Sequence, residues 1–333
     1  MKTRQFVLAS RPQGLPSSET FRIENIVLNE LKDNEVLLKS WYISVDPYMR
    51  GRMNDVKSYA ASFEVGIPIK GSVVAKVIES KTKSLVKGDI VTGYLPWAEY
   101  CNEKAENLRK VDTRTVPPGY YLGILGMPGL TAYFGIMDIG KPKTGETVVI
   151  SGAAGAVGIV AGQIAKTQGA WVVGITGSDD KCKLLKEQFG FDEALNYKNT
   201  KNLKKAIAEI CPKGVDVYYD NVGGEITDAV IANLNFHSRI ALCGQISLYN
   251  STRIPMGPAI LPTLLTRSVK LQGFIVGNYA DHFEEARRQL TKWVIDGTLK
   301  YTETIIDGFD KLPEAFLGLF AGKNQGKMLI KIE

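Results

Sequence analysis

Val148-Val-Ile-Ser-Gly-Ala-Ala-Gly-Ala-Val-Gly158 carries a short apolar run into a glycine-spaced turn. Thr147–Ser151 suits a strand buried on both faces. It runs into Gly152, and Ala153-x-Gly155-x-x-Gly158 follows where a helix opens. In that spacing Gly155 lets the backbone approach a pyrophosphate, and Gly158 lets the helix pack against the strand. The anion then sits at the positive end of the helix. Ala153 stands where the usual fingerprint has its first glycine. The strand before and the helix after supply the context such a motif needs. A tight strand–helix turn with no ligand is the plainer alternative.

Outward from this stretch, strand and helix signals alternate from about residue 123. Helical patterns at Ala156–Gln168 and Asp179–Phe189 flank a strand at Trp171–Thr176, and Val215–Asp220, Arg239–Cys243 and Lys270–Val276 supply further strands. Asp281–Asp296 places Phe283, Ala286, Leu290, Trp293 and Val294 on one helical face, and Gly297 stops it. Repeated β-α-β order predicts an α/β fold with a parallel, doubly wound sheet. The first 120 residues differ. Short β-rich runs (Glu35–Leu38, Gly71–Val77, Asp89–Tyr94) alternate with turn residues, and Ser44–Arg52 lies between them as a polar and aromatic loop. The tail returns to strands at Tyr301–Ile306 and Lys327–Ile332 around a helix at Leu312–Leu319, and is expected to rejoin the first β domain.

Composition narrows the class. The 333 residues suit two domains at about 150 residues each. Lys+Arg minus Asp+Glu is 41 − 35 = +6, spread too evenly for a nucleic-acid arm. The densest basic stretch, Lys198 to Lys205, reads as a solvated helix face. The four cysteines, at 101, 182, 211 and 243, form no CxxC and no regular spacing, which points to reduced thiols in the cytoplasm. No stretch approaches the ~20 apolar residues that span a bilayer, and the start lacks a signal-peptide run. His237 and His282 are the only histidines. No metal site is therefore expected. Phosphoryl transfer and serine hydrolysis recede as well, because no GxxxxGK[ST] or GxSxG motif occurs.

The second strand of the α/β region ends in Val173-Gly-Ile-Thr-Gly177, where an NAD site usually holds an acid for the ribose 2′-hydroxyl. Ser178 and Lys181 follow instead, and both can hold a 2′-phosphate. That favours NADP, although Asp179 and Asp180 pull the other way. Asp220-Asn-Val-Gly-Gly224 and Cys243-Gly-Gln-Ile-Ser-Leu-Tyr249 fall just beyond two strands, at the carboxyl edge where such sheets bind ligands. Hydride transfer without a metal needs a hydrogen-bond donor for charge on the substrate oxygen. Tyr249 is the tyrosine best placed to supply it.

These motifs resemble a known family. Val45-Asp-Pro-Tyr-Met-Arg-Gly51, Gly126-Met-Pro-Gly-Leu-Thr-Ala-Tyr133, Ala153–Gly158, Asp220–Glu225 and Ile246-Ser-Leu-Tyr-Asn250 occur in one order, and Asn324-Gln-Gly-Lys327 closes the chain. Together they look like the zinc-independent medium-chain reductases of the prostaglandin reductase (leukotriene B4 12-hydroxydehydrogenase) type, along the whole chain. The resemblance implies a GroES-like β domain (1–123 and 299–333) and a Rossmann NADP-binding domain (124–298), with the active site in the cleft between them. It implies NADPH, with Gly155, Ala156, Val157 and Gly158 at the pyrophosphate and Lys181, beside Ser178, at the 2′-phosphate. Tyr197, Asn221, the Cys243–Tyr249 loop with Cys243 and Gly244, the Phe274–Asn278 segment with Phe274 and Val276, and Asn324 would line the cofactor.

The implied activity is reduction of the carbon–carbon double bond of α,β-unsaturated ketones and aldehydes. Hydride goes to the β-carbon, and the ribose 2′-hydroxyl, oriented by Tyr249, steadies the enolate; Tyr48 is a second candidate for substrate contact. A homodimer is implied, with no membrane or nucleic-acid partner. The loop Thr252–Pro262 departs from the prostaglandin enzymes, so eicosanoid specificity does not carry over. An NADPH quinone oxidoreductase of the same superfamily and a non-catalytic NADPH-binding sensor are the rival readings.

Overall fold

The structure is a computed structural model and describes residues 1–332. The chain begins with strands β1 (Lys2–Leu8), β2 (Phe21–Val27) and β3 (Glu35–Ser44), a short helix α1 (Met49–Arg52), then β4 (Lys70–Ser80), β5 (Ile90–Pro96), β6 (Tyr100–Lys104) and β7 (Arg109–Lys110). Helix α2 (Met127–Phe134) precedes β8 (Thr147–Ser151), α3 (Gly158–Thr167), β9 (Trp171–Thr176), α4 (Asp179–Phe189), β10 (Glu193–Asn196) and α5 (Leu203–Ile210). Then come β11 (Val215–Asp220), α6 (Gly224–Ile231), β12 (Leu234–Leu242), α7 (Leu261–Thr266), β13 (Lys270–Gly273) and α8 (Phe283–Ile295). The remainder holds β14 (Glu303–Asp307), α9 (Leu312–Phe320) and β15 (Lys327–Lys331).

Two compact units result: residues 1–122, 303–324 and 328 onward form the first, and residues 123–302 with 325–327 form the second. In the first, β1 and β2 make an antiparallel ribbon, and a larger sheet runs in the order β14-β15-β3-β4-β5-β7, with β6 also on β3. Strand β3 shows why these residues fold as they do. Val36, Leu38 and Ser40 alternate inward, then a bulge between Ser40 and Tyr42 shifts the phase so that Ile43 turns inward instead. Trp97 and Phe316 are fully buried against Phe21 in the core. The segment after β3 is not a plain loop, because α1 forms there. Met49 and Met53 enter the core, and buried Arg50 donates to the carbonyls of Pro12 and Gly14.

The second unit is a six-stranded parallel sheet in the order β10-β9-β8-β11-β12-β13. All five residues of β8 are buried, as a two-faced interior strand requires. The order reverses between β8 and β11, so the chain leaves a crevice beyond the carboxyl ends of these two strands. Two expected strands shift. β12 begins at Leu234, with His237 inside it at positive φ, and the strand expected to Val276 ends at Gly273, where a 3-10 turn over Val276–His282 takes over. Residues Gly135–Gly140 wind as a π-helix that the hydrophobic pattern does not announce. Among the described residues no helix is long and apolar enough to cross a membrane.

Candidate active site and nucleotide site

The turn after β8 has the form an anion site needs. No side chain caps α3, so the amide donors of its first turn, around Ala156, Val157 and Gly158, stay available to a ligand. A Cβ on Gly158 would lie 2.5 Å from the Gly152 carbonyl oxygen and 2.6–2.7 Å from Ala153 backbone atoms. No larger residue fits while the helix starts this close to the strand. On the other side, Gly155 forms a β-bridge with Gly326, whose N–H donates to the Ala154 carbonyl at 2.9 Å. These features fit a dinucleotide pyrophosphate.

At the end of β9 the side chains gather around Gly177. Ser178 caps α4, its hydroxyl accepting from the Lys181 N–H at 3.3 Å. A Cβ on Gly177 would lie 3.2 Å from Tyr197 and 3.3 Å from the Lys198 side chain. Burial lowers the Lys181 pKa, and the neighbouring Lys198 ammonium lowers it further. Two cations this close disfavour each other's charge, and an anion between them would relieve both. The nearby Asp179 is occupied, accepting from Asn196 at 2.8 Å and from Asn199 at 3.2 Å. Lys198 corrects the sequence reading. It belongs to a 3-10 turn, Tyr197–Asn199, and not to the solvated face of α5, which begins at Leu203. The signal was the short run of β10 before it, since a strand beside β9 must deliver its next residues to the same edge.

Beyond β11 and β12 lies a cavity of about 390 Å³ lined by Leu242, Cys243, Gly244, Tyr249, Phe274 and Asn278, among others. The sequence candidates Cys243, Gly244, Tyr249 and Phe274 thus meet in one place. Gln245, Ile275 and Asn278, from the two segments expected to line the cofactor, are in the lining as well, whereas Val276 is not. Asn221 ties the cavity to the glycine turn: its side chain donates to the Ser151 carbonyl at 2.8 Å, and its carbonyl lies against Gly244. The Tyr249 phenol oxygen accepts from the Gln245 N–H at 3.3 Å. Burial raises the phenol pKa while this N–H lowers it, and the net shift is upward. Tyr249 is therefore protonated at neutral pH, and with its oxygen accepting, its O–H is left to donate. Burial pushes the Cys243 thiol up to about 12, against the opposing hydrogen bond from Tyr219.

Tyr48 and Asn324 belong to the first unit. Tyr48 precedes α1, and its phenol is pushed well up, by burial first and by Asp46 next, with Arg52 opposing. Among the described residues no three of His, Cys, Asp and Glu are grouped to hold a metal ion, and the four cysteines are free.

Two family models match the chain, the N-terminal domain of oxidoreductase over residues 4–111 and zinc-binding dehydrogenase over residues 156–292. The zinc of the second description does not fit the donors just described. YfmJ of Bacillus subtilis, whose name calls it an NADP-dependent oxidoreductase, is 54% identical over 99% of this chain and 97% of its own length. The NADPH-dependent curcumin reductase of Escherichia coli is 42% identical over 99% and 97%. The crystal structure of CurA from Vibrio vulnificus with NADPH superposes with a TM-score of 0.94 at 40% identity, covering 99% of both chains. NADPH is thus the cofactor of this chain. The chain belongs to the NADP-dependent oxidoreductases of the medium-chain dehydrogenase/reductase family, in the branch that includes prostaglandin reductase 1 and 2-alkenal reductase.

Proposed function

We propose that this enzyme reduces the carbon–carbon double bond of α,β-unsaturated ketones and aldehydes. The observation that carries the reading is Tyr249, a protonated phenol held by the Gln245 N–H beside a cavity walled by Leu242, Phe274 and Ile275. NADPH, when bound, supplies the hydride. The chain's own part begins with anchoring: the α3 amides take the pyrophosphate, and Lys181, Lys198, Ser178 and Tyr197 take the 2′-phosphate. The apolar walls keep water from the reacting carbons and strengthen any hydrogen bond made inside. Tyr249 directs its O–H to the side where the substrate carbonyl gathers negative charge, which is where a fixed donor accelerates the reaction. The names of the curcumin, 2-alkenal and prostaglandin reductases are consistent with such substrates.

A homodimer is part of the proposal. Among the described residues the outer edge of β13 pairs with no further strand, and Leu271 on it and Leu261 and Leu265 on the preceding α7 are exposed. An open sheet edge beside exposed apolar side chains is suited to a second copy. Reduced cysteines fit the cytoplasm as its place.

The test is NADPH oxidation with 2-alkenals, a long-chain enone, a 15-oxo-prostaglandin, a curcuminoid and a simple quinone, with NADH in parallel. Enone turnover with NADPH preferred is the expected result. Quinone turnover alone would move the enzyme to the quinone oxidoreductases, and NADPH binding without turnover would leave a sensor. Tyr249→Phe should cost roughly 1–3 kcal/mol of transition-state stabilisation, the scale of one hydrogen bond to a charged group. Unchanged kcat/KM would remove Tyr249 from the mechanism.

A further inference from the structure

We propose that Asp220 and Gln245 are positioning residues for Tyr249: the Asp220 carboxylate holds the Gln245 side chain, and the Gln245 main chain holds the phenol. The inference rests on the role of Tyr249 given above.

Asp220 ends β11 and is fully buried. Its Oδ1 accepts from Ser151 Oγ (3.0 Å), the Tyr218 hydroxyl (2.9 Å) and the N–H groups of Val222 and Gly223 (2.9 Å each). Its Oδ2 accepts from Thr227 Oγ1 (2.7 Å) and Gln245 Nε2 (2.9 Å). Five of the six donors come from β8, from β11 or from the turn and helix after it; Gln245 alone comes from the loop after β12. Its amide also donates to the Gly244 carbonyl at 3.0 Å, which uses its second hydrogen.

The main chain repeats the attachment. The N–H groups of Cys243 and Gly244 donate to the Asp220 carbonyl, and that of Ser247 to the Val222 carbonyl. Gly223 has φ +76, and a Cβ there would stand 2.1 Å from Gln245 Oε1, so only glycine lets this side chain lie over the turn. The Gln245 N–H then reaches Tyr249.

A carboxylate has about four lone-pair sites. Without the Gln245 amide, Asp220 keeps five donors and stays satisfied, so the fold does not need Gln245. What its loss removes is the side-chain anchor that fixes the Gln245 main chain, and with it the aim of the N–H that holds the phenol. Replacing Asp220 would strand all six donors, so the test uses Gln245.

Gln245→Met, Tyr249→Phe and the double variant are compared for enone kcat, NADPH Kd and Tm. Gln245→Met should lower kcat about tenfold, with Kd and Tm changed little. The double variant should be no slower than Tyr249→Phe, because both changes remove one device. If Tyr249→Phe is slow and Gln245→Met is not, the proposal falls and the Tyr249 assignment stands. If the two losses multiply, Gln245 acts elsewhere and the proposal falls. If Tyr249→Phe is as fast as the wild type, the Tyr249 assignment itself has failed and takes the proposal with it.

Gln245→Glu gives an independent reading. Asp220 is the charged group facing that position, with Tyr218, Cys243 and Tyr249 its other titratable neighbours. An ionised carboxylate is repelled by Asp220, and a protonated one can restore the bond to Asp220 through its single O–H. The kcat of this variant should therefore rise as pH falls, more steeply than wild type. A profile parallel to wild type would overturn the proposal.

Discussion

Replacing Lys198 by Ala should impair NADPH and spare NADH. Lys198 lies against Gly177 and close enough to Lys181 to lower its pKa, and the ligand group proposed for this place, the 2′-phosphate, is the one that distinguishes the two cofactors. A hydrogen bond to a charged group is worth roughly 1.5–3 kcal/mol. Lys198 is exposed, so its share belongs at the lower end, and part returns because Lys181 loses its like-charged neighbour. A net loss of about 1.4 kcal/mol corresponds to a factor of ten. The expected result in steady-state assays is a kcat/KM for NADPH reduced about tenfold, on the scale of that loss, with the NADH value unchanged. Lys181→Ala, at the half-buried position, should cost NADPH more. The pH dependence has a definite sign. The ammonium form of Lys181 binds phosphate, and burial and Lys198 lower its pKa, so NADPH affinity should fall on the alkaline side before an ordinary lysine would deprotonate. Removing Lys198 removes one of the two causes and moves that fall to higher pH. Equal losses for NADH and NADPH, or no loss for either, would refute the assignment of Lys198 to the phosphate.

Gly158→Ala forces a methyl group against the Gly152 and Ala153 backbone and should destabilise by about 1–3 kcal/mol. Its calorimetric Tm should drop, and added NADPH should raise it less than in the wild type. Cys243, half-buried at the cavity with its thiol pushed up to about 12, should resist iodoacetamide at neutral pH, read by peptide mass spectrometry; rapid labelling would contradict the raised thiol pKa. Leu265→Glu, on the exposed face beside β13, should shift light-scattering mass from dimer to monomer if that edge is the interface, and leave the chain folded by circular dichroism.

The parallel sheet was legible because its strands are short apolar runs and its turns hold glycines at fixed offsets. Thr147–Ser151, Trp171–Thr176, Asp179–Phe189 and Val215–Asp220 match the elements found. Strand ends were less so. Lys270–Val276 is continuously strand-like in residue type, yet pairing with β12 stops at Gly273, and register depends on a neighbour that local sequence does not contain. The loop at Ser44–Arg52 hid α1 for a similar reason: its methionines are ordered by the core they enter. At the candidate site, the residues next to a glycine motif or in the Cys243–Tyr249 run could be proposed from the motif itself. Lys198 was hidden because its neighbour is Lys181, on a different strand's exit. Gln245 was quoted in its loop but passed over, because its importance lies in one hydrogen bond to a buried carboxylate.

The bridge between Gly155 and Gly326 has a consequence for biosynthesis. The glycine turn leaves the ribosome with β8 and α3, early in the second unit, whereas the residue that braces it is translated long afterwards. Domains fold as units during synthesis, the N-terminal ones first. A nascent chain can thus have the parallel sheet in place while the turn still lacks its brace at the Ala154 carbonyl. High-affinity capture of the nucleotide should therefore come late in translation, and ribosome-stalled chains that end before Gly326 should retain dinucleotide weakly even when their sheet has folded.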